Sequence, residues 1–281
     1  MDIKLIALDV DGTLLNSQME VSPATAAALE KAAAAGIHIA LSTGRIVSEC
    51  ADILAALPCI HYVNSCTGAE VVELDTGRSL GGARISADEA RRLYGLLKDL
   101  DVFLDVFDPQ DQIPHCREDL HRQCDRFFPP SLARHLQKFY KPEPDLDAYV
   151  RGLDHDIIKF FMIFLNPDHK QEALRRLAGE PYFIAESSPH DLEIMPVGVT
   201  KATGLDILSK ALGLTRQQVM VMGDGGNDVD QLRFAGLPVA MGNGSPEAKA
   251  CARYITDDND HDGVAKAVNM VLDGSMEAYT T

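Results

Sequence analysis

Positive charge is scarce in this chain: Lys and Arg number 26 against 42 Asp and Glu, a formal net charge of −16. Nucleic acids and anionic membrane surfaces are held by basic patches, so this balance argues against both as partners. Long apolar runs are missing too. The longest, such as IIKFFMIFL at 157–165, fall well short of the roughly 20 residues that span a bilayer. The opening residues read directly as a strand and lack the basic, apolar and small-residue series of a signal peptide. Six cysteines (Cys50, Cys59, Cys66, Cys116, Cys124 and Cys251) form no C-x-x-C and no metal-ligand spacing, so reduced thiols are expected. There is no internal repeat, and no low-complexity tract beyond one alanine-rich helix. From these absences a cytoplasmic protein is expected, with neither nucleic acid nor membrane as a partner.

What is present suffices for a substantial core: 281 residues, 46% of them apolar. IKLIAL at 3–8 is a continuous apolar run, as expected of a parallel strand buried on both faces. SPATAAALEKAAAAG at 22–36 follows as a helix, with Ser22 as N-cap, Pro23 at its first position and Gly36 to stop it. IHIALS at 37–42 is a second buried strand, and a helix is expected to begin near Arg45. The same alternation returns far away, from KATGLDILSKALG at 201–213 through QVMVMGD at 218–224 to SPEAKACA at 245–252. This is the order of a doubly wound, Rossmann-like α/β sheet. The middle of the chain differs, with helices such as 86–100, strands such as VFLDVFD at 102–108, and Pro- and charge-rich connectors. DTGRSLGGA at 75–83 and AESSPHD at 185–191 read as linkers at its two ends. The expected division is a core from 1–82 and 190–281, with an α+β module inserted at 83–189.

Four stretches could carry chemistry, and each ends a predicted strand or opens a helix. Asp9 and Asp11 close the first strand, on one side of it if the strand persists; the pair is either functional or an Asp-Gly turn. Thr43 and Gly44 offer a hydroxyl and a bare backbone at a helix N-terminus, which is an anion site or simply a cap. Lys201 opens a helix, against the helix dipole, and is either functional or solvated surface. GDGGND at 223–228 is neither a Walker loop nor G-x-G-x-x-G; it supplies the carboxylates of Asp224 and Asp228, either for a hard cation or as an N-cap. Together the four make the inventory that a phosphoryl group needs: a nucleophile, donors around its oxygens, and Mg²⁺, for which Asp9 and Asp224 are suited.

DVDGT, STGR, the lysine of GVTKATGL and GDGGND resemble, in order, the four motifs of the haloacid dehalogenase superfamily. The resemblance is closest to Cof-type phosphatases with a class II, subtype B cap, and covers nearly the whole chain. It implies that Asp9 is the nucleophile that forms an aspartyl-phosphate, and that Asp11 is the general acid and base. It implies that Val10, Thr43, Gly44, Lys201 and Asn227 hold the phosphate. Asp9, the Asp11 carbonyl and Asp224 would bind Mg²⁺ with support from Asp228, and the inserted module would be the substrate-selecting cap. Thr67 and Gly226 depart from the family pattern, which bears on specificity. The expected function is Mg²⁺-dependent hydrolysis of small phosphorylated metabolites, sugar phosphates or similar. The alternatives are a phosphomutase of the phosphomannomutase type and a non-catalytic phosphate-responsive binding module. His115, Arg117, His121, Arg122, Arg126 and His190 in and near the module could face a substrate, but each is expected at the solvated surface.

Overall fold

The computed structural model describes residues 2–185 and 189–279, apart from the side chains of Phe127, Ser131 and Leu132. Glu186, Ser187 and Ser188, within the second expected linker, lie outside the described residues. In Leu5–Leu8 (β1) all four side chains are buried, as a continuous apolar run requires when both faces of a sheet are covered. His38–Ser42 (β2) pairs with it in parallel, and Ile60–Ser65 (β3) pairs in parallel with β2. The helix between β1 and β2 is Pro23–Ala34, capped by the Ser22 hydroxyl accepting from the Thr25 N–H. Glu70–Glu73 (β4) and Arg78–Gly82 (β5) then extend this sheet as an antiparallel pair. The stretch expected as a linker at 75–83 is therefore partly an edge strand. Glycine lowers strand propensity, but backbone pairing with β4 overrides it there.

A second sheet follows: Val102–Asp108 (β6), Ile113–Arg117 (β7), Lys141–Glu143 (β8), Lys159–Phe164 (β9), Tyr182–Ala185 (β10) and Asp191–Pro196 (β11), in the order β10-β11-β9-β6-β7-β8. All its pairings are antiparallel except β7 with β8. Period-2 alternation sends Leu104, Val106, Phe160, Met162, Leu192 and Ile194 to one face, in a core shared with Leu93, Leu97 and Ala173 of two helices. Phe103, Ile163 and Cys116 pack on the other face with Cys124, Ala133 and Leu136. This unit comprises Ala83–Gly198 together with Ile46–Glu49. Its last strand is β11, which hydrogen-bonds to β9 and β10, so the chain leaves the unit after Gly198 and not at residue 190.

The return supplies Val219–Gly223 (β12), Leu237–Ala240 (β13) and Tyr254–Ile255 (β14), all parallel, on the opposite side of β1 from β2. The first sheet reads β14-β13-β12-β1-β2-β3-β4-β5, with β1 central and its neighbours drawn from both ends of the chain. That order reverses at β1, and a crevice forms at such a point beyond the carboxyl ends of the strands. Among the described residues the six cysteines form no disulfide, and no helix is long and apolar enough to cross a membrane.

Candidate active site

β1 does not persist through the acidic pair. It stops at Leu8, and Val10–Leu14 coils into a tight turn in which Gly12 has φ of +77°. A β-carbon on Gly12 would lie 2.5 Å from Asp224 Oδ2, so only glycine lets this turn approach the end of β12. The two aspartates consequently part company. Asp9 is 6% exposed, whereas the Asp11 side chain is 55% exposed. Each has its own cation. Lys201 Nζ lies 2.6 Å from Asp9 Oδ1, and Arg45 grips Asp11 through Nε to Oδ2 at 3.0 Å and Nη2 to Oδ1 at 2.5 Å. Repulsion between neighbouring carboxylates is thus relieved by separation and pairing.

Lys201 is wholly buried at the first position of the helix Lys201–Ala211, capped by Thr200, and is not solvated surface. Its ammonium also donates to Asp228 Oδ1 at 2.7 Å. Asp228 spends both oxygens: Oδ1 accepts further from Gln231 Nε2 at 2.7 Å, and Oδ2 accepts the N–H groups of Asp224 and Gly225 at 2.9 and 2.8 Å. It folds the glycine loop back on itself and so does not cap the following helix. Burial alone would lower the pKa of Lys201, but Asp9 and Asp228 outweigh it and hold the ammonium charged. Burial pushes Asp9 up to about 7 even with Lys201 against it, and Asp228 adds to the rise. Asp224 is also raised, by burial first, although the Thr13 hydroxyl donates to its Oδ1 at 2.8 Å.

Asp9, Asp224 and Asp228 each offer a carboxylate oxygen within 4.8 Å of the others. One lysine does not neutralise the three carboxylates, and Asp9 and Asp224 are raised, by burial first and by the Asp228 charge besides. Hard oxygen donors with residual negative charge fit a hard divalent cation. Asp11 stands outside this cluster by its side chain.

Thr43 and Gly44 follow β2 at the same end of the sheet, but no helix begins at Arg45. A 3₁₀ turn opens at Val47 and the α-helix only at Ala51. The reason lies in the backbone of 43–45, which is committed elsewhere: the Thr43 carbonyl accepts from Thr67 N–H at 2.9 Å and the Arg45 carbonyl from Cys66 N–H at 3.0 Å. Thr43 Oγ1 accepts the Arg45 N–H at 3.1 Å, closing a local turn. Thr67 stands against the loop, its Oγ1 3.5 Å from where a Gly44 β-carbon would be. Val10 is buried and its backbone favours the ionised form of Asp9. Asn227 is exposed and lies over Gly225.

Several supporting residues were not singled out in the sequence. Asn64, buried inside β3, donates to the Lys201 carbonyl and to Ser42 Oγ, both at 2.9 Å, and Ser42 donates to Gln231 at 2.6 Å. Asn243 donates to the Gly12 carbonyl at 2.8 Å. An amide within an apolar strand, as at Asn64, was the one visible hint. In the second unit, His115 is 2% exposed with its ring nitrogens facing Glu143 and Asp111 at 2.8 and 3.0 Å, so it is not at the surface as expected. Arg117, Arg122 and Arg126 each pair with a residue close by in sequence, Asp119, Glu118 and Gln123.

A family model of haloacid dehalogenase-like hydrolases matches residues 6–268. The 5-amino-6-(5-phospho-D-ribitylamino)uracil phosphatase YcsE of Bacillus subtilis is 30% identical over 270 residues, covering 95% of each chain. Phosphatase YwpJ of the same organism is 30% identical over 300 residues, covering 96% of this chain and all of its own (100%). A solved haloacid dehalogenase-like hydrolase from Bacteroides thetaiotaomicron matches with a TM-score of 0.83 at 25% identity, over 96% of this chain and 99% of that one. With these likenesses spanning the residues of both units, the chain belongs to the Cof-type haloacid dehalogenase-like hydrolases and is a phosphatase, a hydrolase of phosphoric monoesters.

Proposed function

We propose that the protein is a Mg²⁺-dependent phosphatase of small phosphorylated metabolites that works through an aspartyl-phosphate on Asp9. The observation that carries this reading is the Asp9 carboxylate at the end of β1, 2.6 Å from a wholly buried ammonium. A dianionic phosphate approaching a carboxylate meets repulsion, and Lys201 supplies fixed positive charge where the two would meet. Asp9 attacks phosphorus through a carboxylate oxygen as the ester P–O bond breaks. Asp11 hands its proton to the departing alcohol oxygen, which leaves Asp11 as carboxylate. It then takes a proton from water while that water's oxygen attacks phosphorus, breaking the bond to Asp9 and releasing phosphate.

Thr43 Oγ1, the Gly44 and Val10 backbones, Lys201 and Asn227 are the donors assigned to the phosphate. Members of the superfamily generally use a divalent metal. Asp9, the Asp11 carbonyl and Asp224 would hold Mg²⁺, which when bound neutralises phosphate oxygens. Asp228 steadies Lys201 and the loop bearing Asp224. The inserted unit is assigned the choice of substrate. The test is a phosphate-release screen over phosphorylated sugars, polyols, nucleotides and cofactors, with acid-quenched enzyme searched by mass spectrometry for phosphate on Asp9. Phosphate on Asp9 and its release to water support the reading. Return of the phosphate to a sugar in the presence of a sugar bisphosphate would install the mutase instead.

A further inference from the structure

We infer that Arg45 is a positioning residue that holds the Asp11 carboxylate where it can exchange its proton with the substrate oxygen. The inference rests on the reading of Asp11 as acid and base. The Asp11 side chain is 55% exposed, and among the described residues its hydrogen bonds go to Arg45 alone. A half-exposed aspartate on a turn has several open rotamers, and nothing else there selects one. Arg45 does so with a two-point fork, Nε to one oxygen and Nη2 to the other, which fixes both position and plane.

The fork itself is anchored. Its side chain is 19% exposed, its N–H is held by Thr43 Oγ1 at 3.1 Å, and its carbonyl is held by the Cys66 N–H at 3.0 Å. Cys66 and Thr67 both adopt positive φ, 49° and 58°, in a turn whose Gly68 lies against the Thr200 carbonyl. Residues other than glycine pay for such angles only where the surroundings over-determine them. The loop carrying Thr43 and Arg45 is therefore a rigid bracket for an otherwise free carboxylate. The Asp11 end of the pair is half in solvent, so losing the pair is expected to show in the rate more than in stability.

The experiment compares p-nitrobenzyl phosphate, whose alkoxide must be protonated as it leaves, with p-nitrophenyl phosphate, whose phenolate leaves readily without a proton. Single-turnover release of the alcohol is measured for wild type, Arg45→Ala, Arg45→Lys, Asp11→Asn and the Arg45→Ala/Asp11→Asn pair. Arg45→Ala should slow the benzyl ester about tenfold more than the phenyl ester, with KM and Tm nearly unmoved. Arg45→Lys keeps the charge but not the fork and should shift the ratio the same way; being the milder change, it decides the matter if Arg45→Ala folds poorly. In the Asp11→Asn background the loss of Arg45 should add nothing further. A selective benzyl loss in Asp11→Asn with uniform losses in both Arg45 variants overturns the inference about Arg45 alone. Uniform losses in Asp11→Asn overturn the reading of Asp11, and the inference with it.

Discussion

Lys201 is the residue on which chemistry and stability meet. Its ammonium stands between two buried carboxylates, Asp9 at 2.6 Å and Asp228 at 2.7 Å. Breaking a buried ion pair by removing one partner costs about 3–5 kcal/mol, because the other charge stays behind. Lys201→Met is therefore expected to lower kcat/KM by more than about tenfold and also to lower Tm, a combination read from steady-state kinetics beside thermal unfolding. An unchanged kcat/KM would remove the lysine from the reaction. Thr13 offers a separate check on Asp224. Its hydroxyl orients one carboxylate oxygen at 2.8 Å, and loss of such an outer partner weakens metal binding about 10–100-fold. Thr13→Val should raise the Mg²⁺ concentration for half-maximal activity by roughly tenfold. An unmoved titration would confine Thr13 to shaping its own turn.

Elements decide where these residues stand. The turn Cys66–Gly68 joins the loop after β2 to the start of the helix Lys201–Ala211. Its backbone N–H groups bind the carbonyls of Thr43 and Arg45, and a β-carbon on Gly68 would lie 2.0 Å from the Thr200 carbonyl. Gly68 also has φ of +98°, a conformation that costs an alanine about 1–3 kcal/mol before any clash is counted. Gly68→Ala should thus destabilise by at least about 2 kcal/mol and reduce activity as well, since the displaced backbone leads directly into Lys201. Chemical denaturation measures the first and kcat the second. A stable, fully active variant would uncouple the turn from the site.

At the scale of the whole molecule, two units with separate cores are threaded by one chain. The second has a complete six-stranded sheet, and its larger core draws only on its own residues. Residues 83–198 made alone are expected to unfold cooperatively on heating, somewhat less stable than in the full chain, because Ile46–Glu49 and the Glu49 contact to His135 at 2.7 Å are lost. A non-cooperative melt would count against its independence. For the complete protein, chelation should abolish phosphate release and Mg²⁺ should restore it. Ca²⁺ should restore it poorly, because its longer, looser coordination misplaces the oxygens around it. Full activity after exhaustive chelation would remove the metal from the proposal.

By itself the sequence determined the parallel strands, the two helix-capped arms of the core and the candidate residues at strand ends. All of these follow from local patterns: buried apolar runs, Ser-Pro caps and acidic or glycine-bearing turns. It was silent where a long-range backbone contact overrode a local signal. β5 formed from a glycine-rich stretch because β4 offered its edge, and no helix started at Arg45 because the carbonyls there were already engaged by Cys66 and Thr67. The pairings within the site were equally hidden. Lys201 reaches Asp9 across 192 residues of sequence, and Ser42 reaches Gln231 across 189. Whether a lysine is surface or buried, and whether two aspartates one residue apart share one neighbour or take two, depends on what the fold brings beside them. Sequence spacing carries that information only within a turn or an element, whereas charge and hydrogen bonding act through space.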